Sequence, residues 1–242
     1  MDNLINELEK IRGKTLLVCY PHPDDETMIS GGLLREAKKY DIKTVVLVLT
    51  QGGEGKMHIH PRGKSVKEVR TKELNSAMTK LKVDKVILEN YPDAYLRDCK
   101  DLWTKKLTRQ IRELKPAMVV TYDHSGITGN PDHIVLSLEL TRIISSMKKN
   151  ARPIFYFATL DLENKPLVSR YMCSEVLPYV SKATSFLKIN IVRKILTARV
   201  YKSQNVMNLK TALYYLIFLR KEWYHKVDFD KTYPFKYVPF KL

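Results

Sequence analysis

Cysteine is scarce in this chain. There are three, Cys19, Cys99 and Cys173, an odd number at wide spacing, which excludes a disulfide framework and a CxxC metal knuckle. A reducing, cytoplasmic setting is expected. Long apolar runs are missing too. Nothing approaches the roughly 18 uncharged apolar residues of a transmembrane helix; the nearest stretch, 212–219, is too short. The N-terminal MDNLINELEKIRGK carries charges throughout, so it is not a signal peptide. Its Leu4, Ile5, Leu8 and Ile11 predict a short amphipathic helix. Repeats and low-complexity tracts are absent. Acidic residues are outnumbered, 26 against 42 Lys and Arg, giving a net charge of +16. That surplus excludes indifference to polyanions without naming the polyanion.

What is present fits one large domain. The 242 residues suffice for a sizeable core without covalent staples. Short continuous apolar runs at 15–20 (TLLVCY), 44–50 (TVVLVLT), 84–89, 117–122 and 153–157 predict strands buried on both faces. Helical patterns at 28–40, 65–81, 100–114 and 134–147 alternate with them. This alternation predicts βαβ units in a three-layer α/β fold. The last third differs. From residue 165 onward there are 15 Lys and Arg against 4 Asp and Glu, with helices expected over 185–200 and 206–225. We expect one domain over 1–242, with a core at about 14–160 and a basic, mainly helical cap at about 161–242.

The chemistry concentrates in two segments, each directly after a predicted strand. The first is Pro21-His22-Pro23-Asp24-Asp25-Glu26. Ligands collect at the carboxyl ends of strands in open parallel sheets. One imidazole and three carboxylates at such an end are costly unless they bind something. His with Asp suits a borderline divalent ion such as zinc. Adjacent Asp24 and Asp25 diverge, so one can ligate while the other holds a water. The alternative is an Asp-rich turn that caps the next helix. The second segment runs from Thr121 to His133 (TYDHSGITGNPDH). His133 opens the following helix and becomes a third ligand beside His22 and Asp25. Three protein ligands with an open position are the catalytic arrangement of zinc, not the closed structural one.

With these segments and the later Tyr201-Lys202-Ser203-Gln204, the chain resembles the PIG-L/LmbE-type deacetylases over about 15–222. The resemblance implies a Rossmann-like, mostly parallel sheet with helices on both faces. It also implies zinc-dependent removal of acetyl from N-acetylglucosamine-containing substrates. His22, Asp25 and His133 match the metal ligands, zinc or another divalent ion. Asp24 matches the general base. Arg70 matches a position that contacts the sugar or its substituent, and Asp93 one that binds sugar hydroxyls. Thr50-Gln51-Gly52-Gly53-Glu54 matches the loop after the second strand. By themselves, Arg70 reads equally as a solvated helix charge and Asp93 as a turn residue.

The chain departs from the family at two positions. Asn130 stands where the family usually has a His assigned to oxyanion stabilisation or acid catalysis. Asn donates a hydrogen bond but releases no proton, and loss of a donor at such a site typically costs about 10²–10³ in rate. His124 is the nearby substitute. Tyr201 precedes the Ser-Gln pair where His is usual. The expected partner is an N-acetylglucosamine-containing small molecule or glycolipid. The charge favours an anionic conjugate or peripheral contact with an anionic membrane, to which the run 213–219 beside Arg220-Lys221 would contribute as an interfacial helix. The other reading of that run is a buried cap helix. A basic nucleic-acid-binding protein is a rival, although no nucleic-acid-binding motif is present and no specific nucleic acid is expected. A metal-retaining carbohydrate-binding relative without turnover is another.

Overall fold

The structure, a computed structural model, describes residues 2–60, 63–161, 179–218 and 220–230. Cys173 and parts of the basic last third lie outside them. Eight strands form one mixed sheet: β1 (Asp2–Asn3), β2 (Thr15–Tyr20), β3 (Lys43–Thr50), β4 (Lys85–Tyr91), β5 (Met118–Tyr122), β6 (Ile154–Thr159), β7 (Ser185–Lys188) and β8 (Lys221–Lys226). Their spatial order is β1-β7-β8-β6-β5-β2-β3-β4. Five helices connect the first six strands: α1 (Ile5–Lys10), α2 (Asp25–Ala37), α3 (Val66–Leu81), α4 (Lys100–Leu114) and α5 (Pro131–Ser145). Among the described residues two more follow, α6 (Ile191–Ala198) and α7 (Leu209–Phe218).

The apolar runs become central strands because both of their faces are covered. Leu16, Val18 and Tyr20 of β2 join Leu33 and Leu34 of α2 and Leu74 and Met78 of α3 in one buried cluster. Leu17 and Cys19 point the other way, toward Trp103 and Leu107 of α4 and Leu136 and Leu140 of α5. The amphipathic N-terminal helix forms, with Leu4 and Leu8 fully buried. Cys19 and Cys99 are free thiols.

β2 pairs in parallel with β3 on one side and β5 on the other. The chain therefore builds outward through β3 and β4, then returns to start the other half at β5. Ligands bind at such a reversal point in open α/β sheets, outside the carboxyl ends of the strands.

The last third departs from the expected helices. Residues 185–188 are a strand, and so are 221–226, with α6 and α7 between them. β8 runs antiparallel to both β6 and β7. Tyr224 is fully buried and Phe186 packs on Trp223. The segment thus completes the sheet as well as capping it. Of the run 213–219, the side chains of Leu213 and Leu216 fall within the described part. Leu213 is exposed and Leu216 packs against the α6 cluster. No described helix is long and apolar enough to cross a membrane.

Candidate active site

Four loops at the carboxyl ends of β2, β3, β4 and β5 deliver the site. His22 follows β2 and Asp25 begins α2. His133 is the third residue of α5, because that helix starts three residues earlier than expected, with Asn130 as its N-cap and Pro131 in its first turn. The Asn130 side-chain oxygen accepts the Asp132 N–H at 2.8 Å. Gly126 lets His133 in: it sits at φ +61°, and a Cβ there would lie 2.8 Å from the His133 Cβ.

Three ligand atoms converge on one point. His22 Nδ1 lies 3.3 Å from His133 Nε2 and 3.4 Å from Asp25 Oδ2, and His133 Nε2 lies 3.5 Å from that oxygen. All three residues are buried. The opposite ring nitrogens fix the tautomers. His22 Nε2 faces the carboxylates of Asp93 (2.9 Å) and Asp132 (3.3 Å). His133 Nδ1 faces the Gly126 carbonyl at 2.9 Å. The outer nitrogens therefore carry the hydrogen of each neutral imidazole, which leaves the inner nitrogens as the lone-pair donors. Two lone pairs and a carboxylate oxygen then meet at one point, an arrangement that a cation placed between them satisfies. An ion with bonds of about 2.0–2.1 Å in tetrahedral geometry separates its ligands by about 3.3–3.4 Å, the spacing seen here. The residues fit a divalent metal.

The surrounding carboxylates favour positive charge at this point, whether carried by a proton on His22 or by a metal ion. Burial would lower the His22 pKa, but Asp132, Asp25 and Asp93 raise it well above the usual imidazole range. Burial would raise Asp25, yet His133 and His22 hold its carboxyl below the usual carboxylate range. The cluster stabilises positive charge where the three atoms meet. Asp25 Oδ1 also accepts the Tyr122 hydroxyl at 2.7 Å, and the Tyr122 ring stacks on His133 at 4.2 Å. Those contacts lock both ligands in place.

Asp24 does not cap α2 through its side chain, so the helix-cap alternative fails for it. Its backbone is in the left-handed region at φ 106°, a strained conformation for Asp that the surroundings must enforce. Two contacts enforce it. The Asp24 N–H donates to Glu26 Oε2 at 3.1 Å, and its carboxylate accepts from Arg70 Nη2 at 3.0 Å. Burial pushes the Asp24 carboxyl up to about 8, against the pull of the Arg70 guanidinium. Arg70 is buried and also donates to the carbonyls of Pro23 and Gly52. Gly52 has φ +65°, and a Cβ on it would lie 2.2 Å from Arg70 Nη1, so the guanidinium requires that glycine.

Each candidate residue can now be placed. His22, Asp25, His133 and Asp24 come together. Arg70 reaches the cluster by holding Asp24. Asp93 reaches it by holding His22, and its other oxygen accepts the Glu54 N–H at 2.8 Å. His124 does not join: it contacts Ser137 Oγ at 3.1 Å, its ring meets Phe157 edge-on, and burial lowers its pKa to about 4. Three further residues matter that the sequence motifs contained without assigning them a role. Asp132 accepts the N–H groups of Ala94 (2.8 Å) and Leu96 (3.1 Å), which ties the β4 loop to His22. Glu26 and Tyr201 meet at 2.5 Å. Asp132 had one signal, its position beside His133; Glu26 and Tyr201 each lay in a quoted motif, but nothing pointed to their contact.

A curated relative from Bacillus cereus, a probable N-acetyl-alpha-D-glucosaminyl L-malate deacetylase 2, is 26% identical over 146 residues, covering 58% of this chain and 66% of the relative. A 1D-myo-inositol 2-acetamido-2-deoxy-alpha-D-glucopyranoside deacetylase 1 from Catenulispora acidiphila is 28% identical over 145 residues, covering 50% of this chain and 45% of the relative. The chain thus spans about half to two thirds of these relatives' length. An N,N'-diacetylchitobiose deacetylase from Pyrococcus horikoshii shares the fold, with a TM-score of 0.65 and 20% identity over 96% of this chain and 94% of that one. The family model described as PIG-L, GlcNAc-PI de-N-acetylase, matches residues 17–144, more than half of the sequence and every residue placed above except Tyr201: the chain belongs to the PIG-L family.

Proposed function

We propose that the protein is a zinc-dependent N-deacetylase. It hydrolyses the acetamide of an N-acetylglucosamine conjugate to a free amine and acetate. The observation that carries this reading is the triangle of bare ligand atoms at 3.3–3.5 Å with the Asp24 carboxylate beside it. The named activities of the relatives support it. His22, Asp25 and His133 would hold a divalent ion such as zinc, which when bound would polarise the acyl oxygen and acidify the attacking water. Asp24 accepts the water proton during attack. Arg70 fixes the Asp24 carboxylate, and Glu26 fixes its backbone. The Asn130 side-chain oxygen is spent on capping α5, which leaves its amide N–H groups to donate to the developing oxyanion. Asn130 releases no proton, so Asp24 returns one to the leaving amine. The whole chain acts as one domain in this reading, with the segment from about 161 both completing the sheet and bordering the site. Sugar contacts by Arg70 and Asp93 come second to holding Asp24 and His22, because their polar atoms are largely committed to those tasks.

The basic surplus extends the reading to anionic or lipid-linked conjugates and to peripheral contact with an anionic membrane. The deciding experiment is metal analysis of the purified protein with amine and acetate release measured on free, nucleotide-linked and lipid-linked N-acetylglucosamine. One bound metal with turnover is expected. Stoichiometric metal with no release from any conjugate would reject the enzyme and leave a metal-retaining carbohydrate binder.

A further inference from the structure

Tyr201 lies in the turn after α6 and is buried. Its hydroxyl donates to Glu26 Oε1 at 2.5 Å, across 175 positions of sequence. The Thr27 hydroxyl donates to the same oxygen at 2.6 Å. The other oxygen, Oε2, accepts the Asp24 N–H at 3.1 Å. Glu26 is fully buried, so protein donors rather than water must satisfy its carboxylate. One of those donors is the backbone of the strained residue Asp24, at φ 106°. The turn that supplies Tyr201 is itself anchored. Ser203 donates its N–H and its hydroxyl to the Glu73 carboxylate, at 2.8 and 2.5 Å, and its carbonyl accepts the His58 N–H at 2.7 Å. Glu73 sits one helical turn after Arg70 on α3, and Arg70 holds the Asp24 carboxylate. Residues 201–203 thus grip both supports of Asp24: its backbone through Glu26, and its side chain through the helix that bears Arg70.

We propose that Tyr201 is a positioning residue for the Asp24 base. Through Glu26 it fixes the Asp24 backbone, and so the direction in which the Asp24 carboxylate meets the attacking water. This rests on the deacetylase reading. Tyr201 acts without touching metal or substrate, which gives it a signature of its own. A misplaced base slows the chemical step and leaves substrate binding alone. A lost substrate contact would raise KM instead, and a lost packing contact would loosen the whole core. Phenylalanine keeps the ring and removes only the hydroxyl, so Tyr201→Phe isolates the hydrogen bond to Glu26.

The test uses the full-length, zinc-loaded protein and whichever of free, nucleotide-linked and lipid-linked N-acetylglucosamine the wild type hydrolyses fastest. Tyr201→Phe should lower kcat about 10–100-fold, since small displacements of a reacting group cost that much. KM should stay within about threefold of the wild type, with one metal ion still bound per chain. An unchanged kcat, or a raised KM at full kcat, would overturn the proposal. Glu26→Gln and the double variant test the route. If Tyr201 acts through Glu26, the double variant is no slower than the slower single variant; losses that multiply would overturn the route. Amide hydrogen exchange, followed by NMR, reads the same linkage without turnover. In Tyr201→Phe the Asp24 N–H should exchange about tenfold faster or more, while that of Val18 in the centre of β2 keeps its rate. An equal rise at both amides would mean general loosening and would also overturn the proposal. This measurement decides alone if Glu26→Gln does not fold. A rise confined to Asp24, in a protein whose wild type releases no acetate from any conjugate, would sink the deacetylase reading and keep the Tyr201–Glu26–Asp24 linkage. Wild-type turnover with Asp24 exchange unaltered by the substitution would do the reverse.

Discussion

A buried site in which three acceptors face one another is costly unless a cation joins them. The groups behind the acceptors then decide how well the cation is held. Asp93 and Asp132 both face His22 Nε2, so they set which nitrogen is bare and how strongly it donates. Replacing Asp93 with Asn should weaken metal binding by about 10–100-fold, measured by competition with a chromogenic chelator. Unchanged affinity would show that Asp93 serves the substrate first. Asp24 predicts the opposite split. Asp24→Asn should lower kcat by about 10²–10⁴ while metal analysis still finds one ion per chain. Loss of the metal would make Asp24 a ligand and refute its role as base. That the candidate ligands converge was legible in the sequence, because the two segments place imidazoles and carboxylates at the ends of strands that pair in the sheet. Their supporting residues were not. Tyr201 contacts a residue 175 positions away, and Glu222 contacts Gly32 across 190 positions, distances over which spacing carries no information.

Elements show the same contrast. Runs such as TLLVCY declare a strand because both faces are buried, and the observed β2 has the expected bounds. SFLK and KEWYHK look unlike strands because one sits near the edge and both alternate imperfectly; pairing with β6 and with each other makes them strands. α2 holds a second illegible feature. Its Ser30 has non-helical angles, φ −125° and ψ 16°, and its hydroxyl is bound to Tyr20 at 2.7 Å. The break frees the N–H groups of Gly32 and Leu33, and the Glu222 carboxylate accepts both, at 2.7 and 2.9 Å. Lys194 of α6 neutralises that carboxylate at 2.7 Å, with both side chains buried. One carboxylate thus binds β8, α6 and the helix that starts with Asp25. Glu222→Gln should cost about 3–5 kcal/mol, since it leaves the Lys194 charge buried and unpaired. Urea unfolding checks the magnitude. A change below about 1 kcal/mol would place Lys194 in water and dissolve the argument, because exposed pairs contribute no more than that.

At the scale of the whole molecule the charge is unevenly spread. The segment 176–221 is cationic throughout, and its helices leave Val192, Leu196, Leu209 and Leu213 more than half exposed. Aliphatic side chains among Lys and Arg, of which Lys194 is paired with Glu222, make an amphipathic surface. Electrostatics alone would attract any polyanion, whereas the exposed aliphatics gain something only from a surface with an apolar interior. Anionic vesicles are therefore the expected partner over nucleic acid. Each Lys or Arg at such a surface contributes about 1 kcal/mol, and the attraction fades within a Debye length of about 10 Å at 0.1 M salt. The protein should co-sediment with phosphatidylglycerol-containing vesicles at 0.05 M salt and leave them as salt rises, while neutral phosphatidylcholine vesicles retain little. Replacing Leu196 and Leu213 with Ser should weaken vesicle binding about tenfold or more, from the apolar area withdrawn, without altering retention on a duplex DNA column. Equal weakening on DNA, or vesicle binding indifferent to both leucines, would reduce the face to plain electrostatics and remove the membrane from the account.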